Sequence, residues 1–487
     1  MKTSTFSGEQ LAQVRNPDPF AVPVWRSPVY RTPGWIIAAA QLARLAWRLT
    51  RFICRHPAVT TIIAGLAAMW IYTGWPGLVS VTGASAASLA AWRWLHPVTF
   101  TRFVIVPARN KWRALHYRRR WPAVMIIARL AVTYQGRVLL PALGKVTSTG
   151  YVDRVIVALV SGQSPTDMAD RADNLAHGFR ALLCRVRTHR PGMVVLELVR
   201  RDALAAIILA LPIPAHCDLR ALPVGRREDG LVWTIRLHGT HVLIAGATGA
   251  GKASLLWGLV RAMFPLLRAG LARVLAADPK LMELAYGRAI FERYGTYAAS
   301  PVAIAAMLES AVADMQDRAA EFAGRQRDHT PTRGYPFTVV LVDEVAFLTA
   351  YQPDRKLKER IMLALATLTT QGRALGYCVV AALQDPRKDV LTIRNLFPDR
   401  IAMRLDEPEQ ADMVLGDGAY DRGAMCELIS PDPATGAGVA FVRLEADPDP
   451  VRVRAGWVSD IDIREMAAAC LPEPEPAEPI GWPEVAA

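Results

Sequence analysis

The stretch His241-Val242-Leu243-Ile244-Ala245-Gly246-Ala247-Thr248-Gly249-Ala250-Gly251-Lys252 decides the fold. A short apolar run ends in a glycine-rich loop and a lysine, and apolar residues then recur at Leu255, Leu256, Leu259 and Met263 with helical spacing. Such a strand, loop and helix aim backbone N–H groups and the positive end of a helix at one point, which makes a cradle for phosphates. The glycines let the backbone approach an anion closely, and Lys252 reaches the outer phosphates. The expected nucleotide-binding residues are therefore Gly246, Ala247, Thr248, Gly249, Ala250, Gly251, Lys252, Ala253 and Ser254. The position after the lysine normally carries a hydroxyl for Mg²⁺, but here it is Ala253, and a hydroxyl follows only at Ser254. On the loop alone, a plain glycine-rich turn between strand and helix is the alternative.

A second element bears on that choice. Phe337-Thr338-Val339-Val340-Leu341-Val342-Asp343-Glu344 is a continuous apolar run with the length of a buried parallel strand, ending in two carboxylates. Open α/β sheets place ligand-binding groups at such strand ends. Asp343 is expected to hold Mg²⁺ through water, and Glu344 to orient and activate the attacking water. With helical patterns between the two elements, the expectation is an α/β fold: a P-loop ATPase domain with a parallel sheet, using ATP and Mg²⁺.

The 487-residue chain has room for roughly two to four domains. Its net charge of +13 favours nucleic acid or anionic lipid as a partner, although basic flanks of a membrane segment hold much of the excess. Six cysteines lie scattered with no Cys-x-x-Cys and no metal-ligand spacing, which fits unpaired thiols in a reducing cytoplasm.

Residues 57–92 carry no charge, and Gly74-Trp75-Pro76-Gly77 divides them. Two transmembrane helices over residues 57–95 are expected, each of roughly 17 to 20 residues. Arg44, Arg48, Arg51 and Arg55 precede them; Arg93, Arg102, Arg109, Lys111 and Arg113 follow. Basic flanks at both ends predict that both ends face the cytoplasm, making a multi-pass protein of the inner membrane with a cytoplasmic motor domain. A buried helical hairpin is the alternative. No cleavable signal peptide is evident, because the first thirty or so residues lack an apolar core. Residues 1–56 then form a cytoplasmic segment, with an amphipathic surface helix over residues 35–53. Residues 96–150 are read as a basic juxtamembrane connector. Its cluster at Arg109, Lys111, Arg113, Arg118, Arg119 and Arg120 suits membrane lipid headgroups, with DNA as the alternative.

A small α/β domain is expected over residues 151–225. Residues 152–160 alternate like a strand, and Ser164-Pro165 suits a helix cap and first turn. Met168, Ala172, Leu175, Phe179 and Leu182 share a helix face, and Met193–Val199 reads as a second strand. Packing and oligomerisation are its expected roles.

Over residues 152–442 the chain resembles the FtsK/SpoIIIE family of DNA-pumping ATPases. The motifs that carry the resemblance follow the glycine-rich loop. Ala277-Asp278-Pro279-Lys280-Leu281-Met282-Glu283-Leu284 is similar to the family's Asp-Pro-Lys segment, and Asp343-Glu344 to its acidic strand end. Gly372-Arg373-Ala374-Leu375-Gly376 leads to an apolar strand and Gln384-Asp385-Pro386; Pro398-Asp399-Arg400-Ile401-Ala402 and Leu415-Gly416-Asp417-Gly418 extend the match. The layout is most similar to the actinomycete plasmid-transfer branch, of TraB and TraSA type, whose members also carry a small residue and then a serine after the lysine.

The resemblance implies a RecA-like motor domain, taken as residues 226–457, that assembles as a homo-hexamer and moves double-stranded DNA, here for conjugative transfer of a plasmid or integrative element. It implies that Gln384 senses the γ-phosphate. Arg373 or Arg400 would reach a neighbouring subunit's nucleotide, with a structural salt bridge as the alternative for each. Asp278 and Lys280 are either coupling residues or a turn. Arg355, Lys356, Lys358 and Arg360 either face a DNA channel or form a solvated face. Residues 458–487 are expected to be an acidic proline-rich tail, too short for the family's winged-helix reader, so that an accessory transfer or DNA-site-reading protein would supply any site choice. A chromosome-segregation pump and a nucleotide-binding scaffold with little hydrolysis are the competing readings.

Overall fold

The computed structural model describes residues 57–386, 394–444 and 447–470, with isolated positions between 35 and 51. Of the amphipathic helix expected over residues 35–53, the described positions, among them residues 41–44, are helical and the others lie outside the described residues, as does the whole proline-rich stretch from Leu471. The chain divides into two units, Met1–Thr101 and Arg102–Ala487.

In the first unit the uncharged stretch forms two helical segments that meet at a kink, together α1 (Pro57–Leu95). Its bend is at Gly74, whose φ of 66° is open to glycine without a Cβ clash, and Pro76 lies two residues on. That the expected pair of helices crosses a membrane is not confirmed: among the described residues, no helix is long and apolar enough to do so. The bend interrupts the apolar run, and Ser80, Thr82, Ser85 and Ser88 dilute its second half. The helix nonetheless exposes Trp70, Tyr72, Trp75 and Trp94.

The second unit opens with α2 (Val106–Ile127), which buries Tyr117, Trp121, Val124 and Met125. A short hairpin follows, β1 (Val132–Tyr134) with β2 (Arg137–Leu139). Then come β3 (Ala142–Ser148), β4 (Val152–Ala158), α3 (Pro165–Ala169), α4 (Ala172–Phe179), β5 (Leu183–Arg190) and β6 (Met193–Val199). The four longer strands make an antiparallel sheet in the order β3-β4-β6-β5. Ser164 caps α3 in a reciprocal capping box with Asp167, with Pro165 in the first turn. Residues 96–150 are thus no mere connector: α2 packs its apolar side on this sheet, and β3 is its edge. Trp121 and Tyr117 mark that buried side, which the run of basic residues around them hides in the sequence.

A ten-stranded sheet carries the rest. Its elements are β7 (Leu222–Arg227), β8 (Val232–Ile235), β9 (Val242–Ala245), α5 (Lys252–Arg268), β10 (Ala272–Ala277), α6 (Arg288–Tyr294), β11 (Gly295–Ala298) and α7 (Pro301–Phe322). They continue with β12 (Phe337–Val342), α8 (Arg355–Leu375), β13 (Tyr377–Leu383), β14 (Asp399–Ala402), α9 (Pro408–Leu415), β15 (Val439–Leu444), β16 (Asp447–Ala455) and α10 (Asp460–Ala468). The strand order is β11-β10-β12-β13-β9-β14-β15-β16-β7-β8. From β11 to β14 neighbours are parallel; from β14 to β8 they are antiparallel. The sheet is therefore mixed, not parallel throughout, and β7 before residue 226 already belongs to it.

The central strands are covered on both faces, which is why they read as unbroken apolar runs. Val242 and Ile244 pack into one core with α5 and α6, whereas Leu243 and Ala245 pack into a second with α7 and α8. The first core also takes Ile463, Met466 and Cys470, so the chain after residue 458 forms a packed helix before any tail begins. The five cysteines in the described residues are free thiols.

Candidate nucleotide site

Five adjacent parallel strands, β10, β12, β13, β9 and β14, bring their carboxyl ends to one edge of the sheet. The loops leaving that edge carry, in the same order, Asp278 and Lys280, Asp343 and Glu344, Gln384, the glycine-rich loop, and Arg404. Residues far apart in sequence converge there because a parallel sheet aligns all its strand ends.

The glycine-rich loop has Gly249 at φ 75° and Gly251 at φ 98°, conformations that side chains disfavour. At Gly251 a Cβ would also sit 2.5 Å from the Gly438 nitrogen, so glycine is required twice over. Lys252 opens α5 and folds back onto its own loop, donating from Nζ to the carbonyls of Gly246 at 2.6 Å and Ala247 at 3.1 Å. Burial lowers the pKa of Lys252, and the carboxylates of Glu344 and Asp343 oppose that shift. Leu255, Leu256, Leu259 and Met263 are all buried beneath the loop.

Thr248 Oγ1 lies 3.4 Å from Gln384 Oε1, and Arg404 donates to the Thr248 carbonyl at 2.7 Å. Thr248 and Gln384 line a cleft of about 190 Å³ together with Asp385, Leu405, Asp406 and Gln410. Sequence reasoning missed Arg404; its only signal is its place just past a strand that runs beside β9. Ser254 lines a different space, an apolar cavity of about 290 Å³ with Ile207, Ile208, Ala434 and Trp457.

Asp343 and Glu344 are buried at the end of β12. The Asp343 carboxyl is pushed up to about 7, first by burial and then by the negative charges of Asp278, Glu283 and Glu344, while Lys280 opposes. Lys280 Nζ donates to Glu344 Oε2 at 3.1 Å, and Glu344 Oε1 is buried without a partner. Crowded carboxylates of this kind suit a divalent cation. Among the described residues no three His, Cys, Asp or Glu side chains form a ligand cage.

The two candidate trans-acting arginines lie elsewhere. Arg373 donates to the Gly239 carbonyl at 2.9 Å, at the amino-terminal end of β9 and away from Lys252. Arg400 donates to the Phe397 carbonyl at 2.9 Å; burial, with Arg443 and Arg394 nearby, lowers its pKa to about 10. In the proposed DNA-facing run, Arg360 is held by both oxygens of Glu309 at 2.7 Å, and Arg355 pairs with Glu359 at 3.0 Å. Lys356 is exposed and Lys358 half-buried.

This combination of strand order, glycine-rich loop, lysine and acidic strand end defines a P-loop nucleotide-binding domain. Within that class, residues 213–425 match the FtsK/SpoIIIE family, and residues 89–200 match the actinomycete conjugal transfer protein N-terminal domain. Over residues 213–425 the chain is thus similar to the FtsK/SpoIIIE family. It is 27% identical over 261 residues to the DNA translocase FtsK of Mycobacterium tuberculosis, which covers 48% of this chain and 29% of that protein. With the DNA translocase FtsK of Corynebacterium efficiens it shares 26% identity over 354 residues, covering 67% of this chain and 36% of the relative. The chain thus spans about a third of the length of these relatives. Among solved structures, the pCW3 conjugation coupling protein TcpA is similar at a TM-score of 0.45 and 19% identity, covering 73% of this chain and 99% of that one.

Proposed function

We propose that the chain is an ATP-driven motor that moves double-stranded DNA, used in conjugative transfer. The observation that carries the reading is the alignment of Lys252, Gln384 and the Asp343-Glu344 pair along one sheet edge, in a domain of a family whose relatives are named DNA translocases. The conjugative part is supported by the match of residues 89–200 to a conjugal transfer domain. ATP would lie across the glycine-rich loop, its phosphates taken by backbone N–H groups and by Lys252, and its base in the apolar cavity beside Ser254 and Trp457. Asp343 would hold Mg²⁺ through water, and the ion would supply charge neutralisation on the phosphates. Glu344 takes a proton from water as the water oxygen bonds to the γ-phosphorus; the bridging oxygen leaves with ADP and the bonding electron pair. Gln384, within reach of Thr248, is suited to sense the terminal phosphate.

A homo-hexamer acting through Arg400 or Arg373 belongs to the same reading, as do phosphate contacts from Lys356 and Lys358. Contact of the first unit with a membrane is supported by the exposed aromatic side chains of α1. The test is steady-state ATP hydrolysis with and without duplex DNA, beside Glu344→Gln. Duplex should stimulate turnover, and the variant should lose it by about 100-fold or more while still binding nucleotide. Nucleotide binding without turnover in the parent chain would favour a scaffold instead.

A further inference from the structure

A second lysine meets the acidic strand end. Glu344 is 4% exposed, and its two oxygens are treated differently. Oε2 accepts from Lys280 Nζ at 3.1 Å, whereas Oε1 is buried and has no hydrogen-bond partner among the described residues. Lys280 follows β10, the strand next to β12, so it approaches Glu344 from the side opposite β13 and the glycine-rich loop. The turn that carries it is fixed at several points. The fully buried Asp278 carboxylate accepts from the Leu284 nitrogen at 3.1 Å, the Met282 nitrogen at 3.4 Å and the Tyr297 hydroxyl at 3.2 Å. Leu281, directly after the lysine, is left-handed at φ 57°, a conformation that costs a residue with a side chain of order 1 kcal/mol or more. The surrounding bonds thus hold Lys280 against Glu344 in spite of local strain.

We propose that Lys280 is the positioning residue for Glu344: it anchors one carboxylate oxygen and leaves the other as the acceptor for the attacking water's proton. This rests on the hydrolytic reading of Glu344 given above. A carboxylate held at one oxygen keeps its second lone-pair direction fixed, and a general base works only within hydrogen-bond reach of the proton it takes. The contacts to the glycine-rich loop are made by Lys252, so loss of Lys280 leaves the phosphate cradle in place.

The experiment is ATP hydrolysis by the full chain with duplex DNA, for the parent, Lys280→Met and Lys280→Arg, beside the Kd of a fluorescent ATP analogue. Lys280→Met should lower kcat by about 100-fold, the cost of a misplaced catalytic group, with KM and the analogue Kd within about threefold. Lys280→Arg should recover kcat to within about tenfold of the parent, because its guanidinium can also bond a carboxylate oxygen. The proposal is overturned if Lys280→Met turns over like the parent, if it loses analogue binding along with turnover, or if Lys280→Arg is as inactive as Lys280→Met. A parent chain that binds the analogue and never hydrolyses ATP would overturn the hydrolytic reading itself, and the positioning role with it.

Discussion

Ser254 shows how one residue's place on a helix decides its chemistry. Successive helical residues are rotated by roughly 100°, so a hydroxyl one place late points to a different neighbour. Here that neighbour is the apolar cavity with Trp457. Ser254→Ala should therefore leave the Mg²⁺ concentration for half-maximal ATP hydrolysis within about twofold, because this side chain lines the apolar cavity and Mg²⁺ readily keeps water in an open coordination position. A large rise in the Mg²⁺ requirement would contradict that placement. His241, at the start of the same segment, is a structural residue with a pH signature. Its Nδ1 accepts from the Val379 nitrogen at 3.0 Å, and the ring is fully buried. Burial, with the charge of Arg373 added, lowers its pKa to about 4. The folded ring is then neutral while the unfolded ring titrates near 6.5, so the unfolded state binds the extra proton between those values. Stability from this residue is present above about pH 6.5 and is lost as pH falls toward 4. Melting curves across that range should show a shallower acid loss for His241→Gln than for the parent.

At the scale of elements, α2 is held to the small sheet by a polar network as well as by apolar packing. Tyr117 donates to Asp153 Oδ2 at 2.8 Å and accepts from Arg200 Nη2 at 2.6 Å, while Arg200 Nε donates to the same carboxylate oxygen at 2.9 Å. Asp153 is fully buried, so removing one donor leaves its charge under-solvated. Tyr117→Phe should cost about 1–3 kcal/mol, read by denaturant unfolding, with little change in nucleotide affinity. The sequence made some elements easy to read and hid others for physical reasons. Strands β9, β12 and β13 announce themselves because both faces are buried, and α3 because Ser164, Pro165 and Asp167 form its start. By contrast, α2 is hidden by its own arginines, whose charged heads stay near solvent around a narrow apolar side. The antiparallel half of the large sheet is hidden too, since its β7 and β8 are short and precede the loop that they join in space. The site followed the same rule. Lys252, Asp343, Glu344 and Gln384 lie at ends of readable strands, but the Lys280–Glu344 pair spans 64 residues and only a fold can bring it together.

Across the whole chain, the two units differ in what they bury. Among the described residues the larger cores lie within the second unit: two flank the ten-stranded sheet, and one joins α2, α3 and α4 to the four-stranded sheet. Ion pairs tie the two sheets to each other. Arg187 meets Asp449 at 3.2 Å, Arg452 meets Asp202 at 3.0 Å, Arg154 meets Asp229 at 3.6 Å, and Arg185 meets Glu228. Several of these side chains are only partly exposed, so the pairs fix orientation more than they add stability. The first unit's α1 instead leaves Trp70, Ile71, Tyr72, Trp75, Trp94 and Leu95 exposed, an apolar surface that water does not favour. Stability and solubility should therefore separate on truncation. A chain that begins at Arg102 should melt within a few degrees of the full chain, because it keeps every one of those cores. It should also remain in solution without detergent and fail to pellet with lipid vesicles, whereas the full chain should need one or bind the other. A large drop in melting temperature would mean that residues 1–101 complete a core of the second unit. Equal vesicle binding by both chains would move the lipid-seeking surface from α1 to the basic outer side of α2, where Lys111, Arg118 and Arg119 stand exposed beside Trp112.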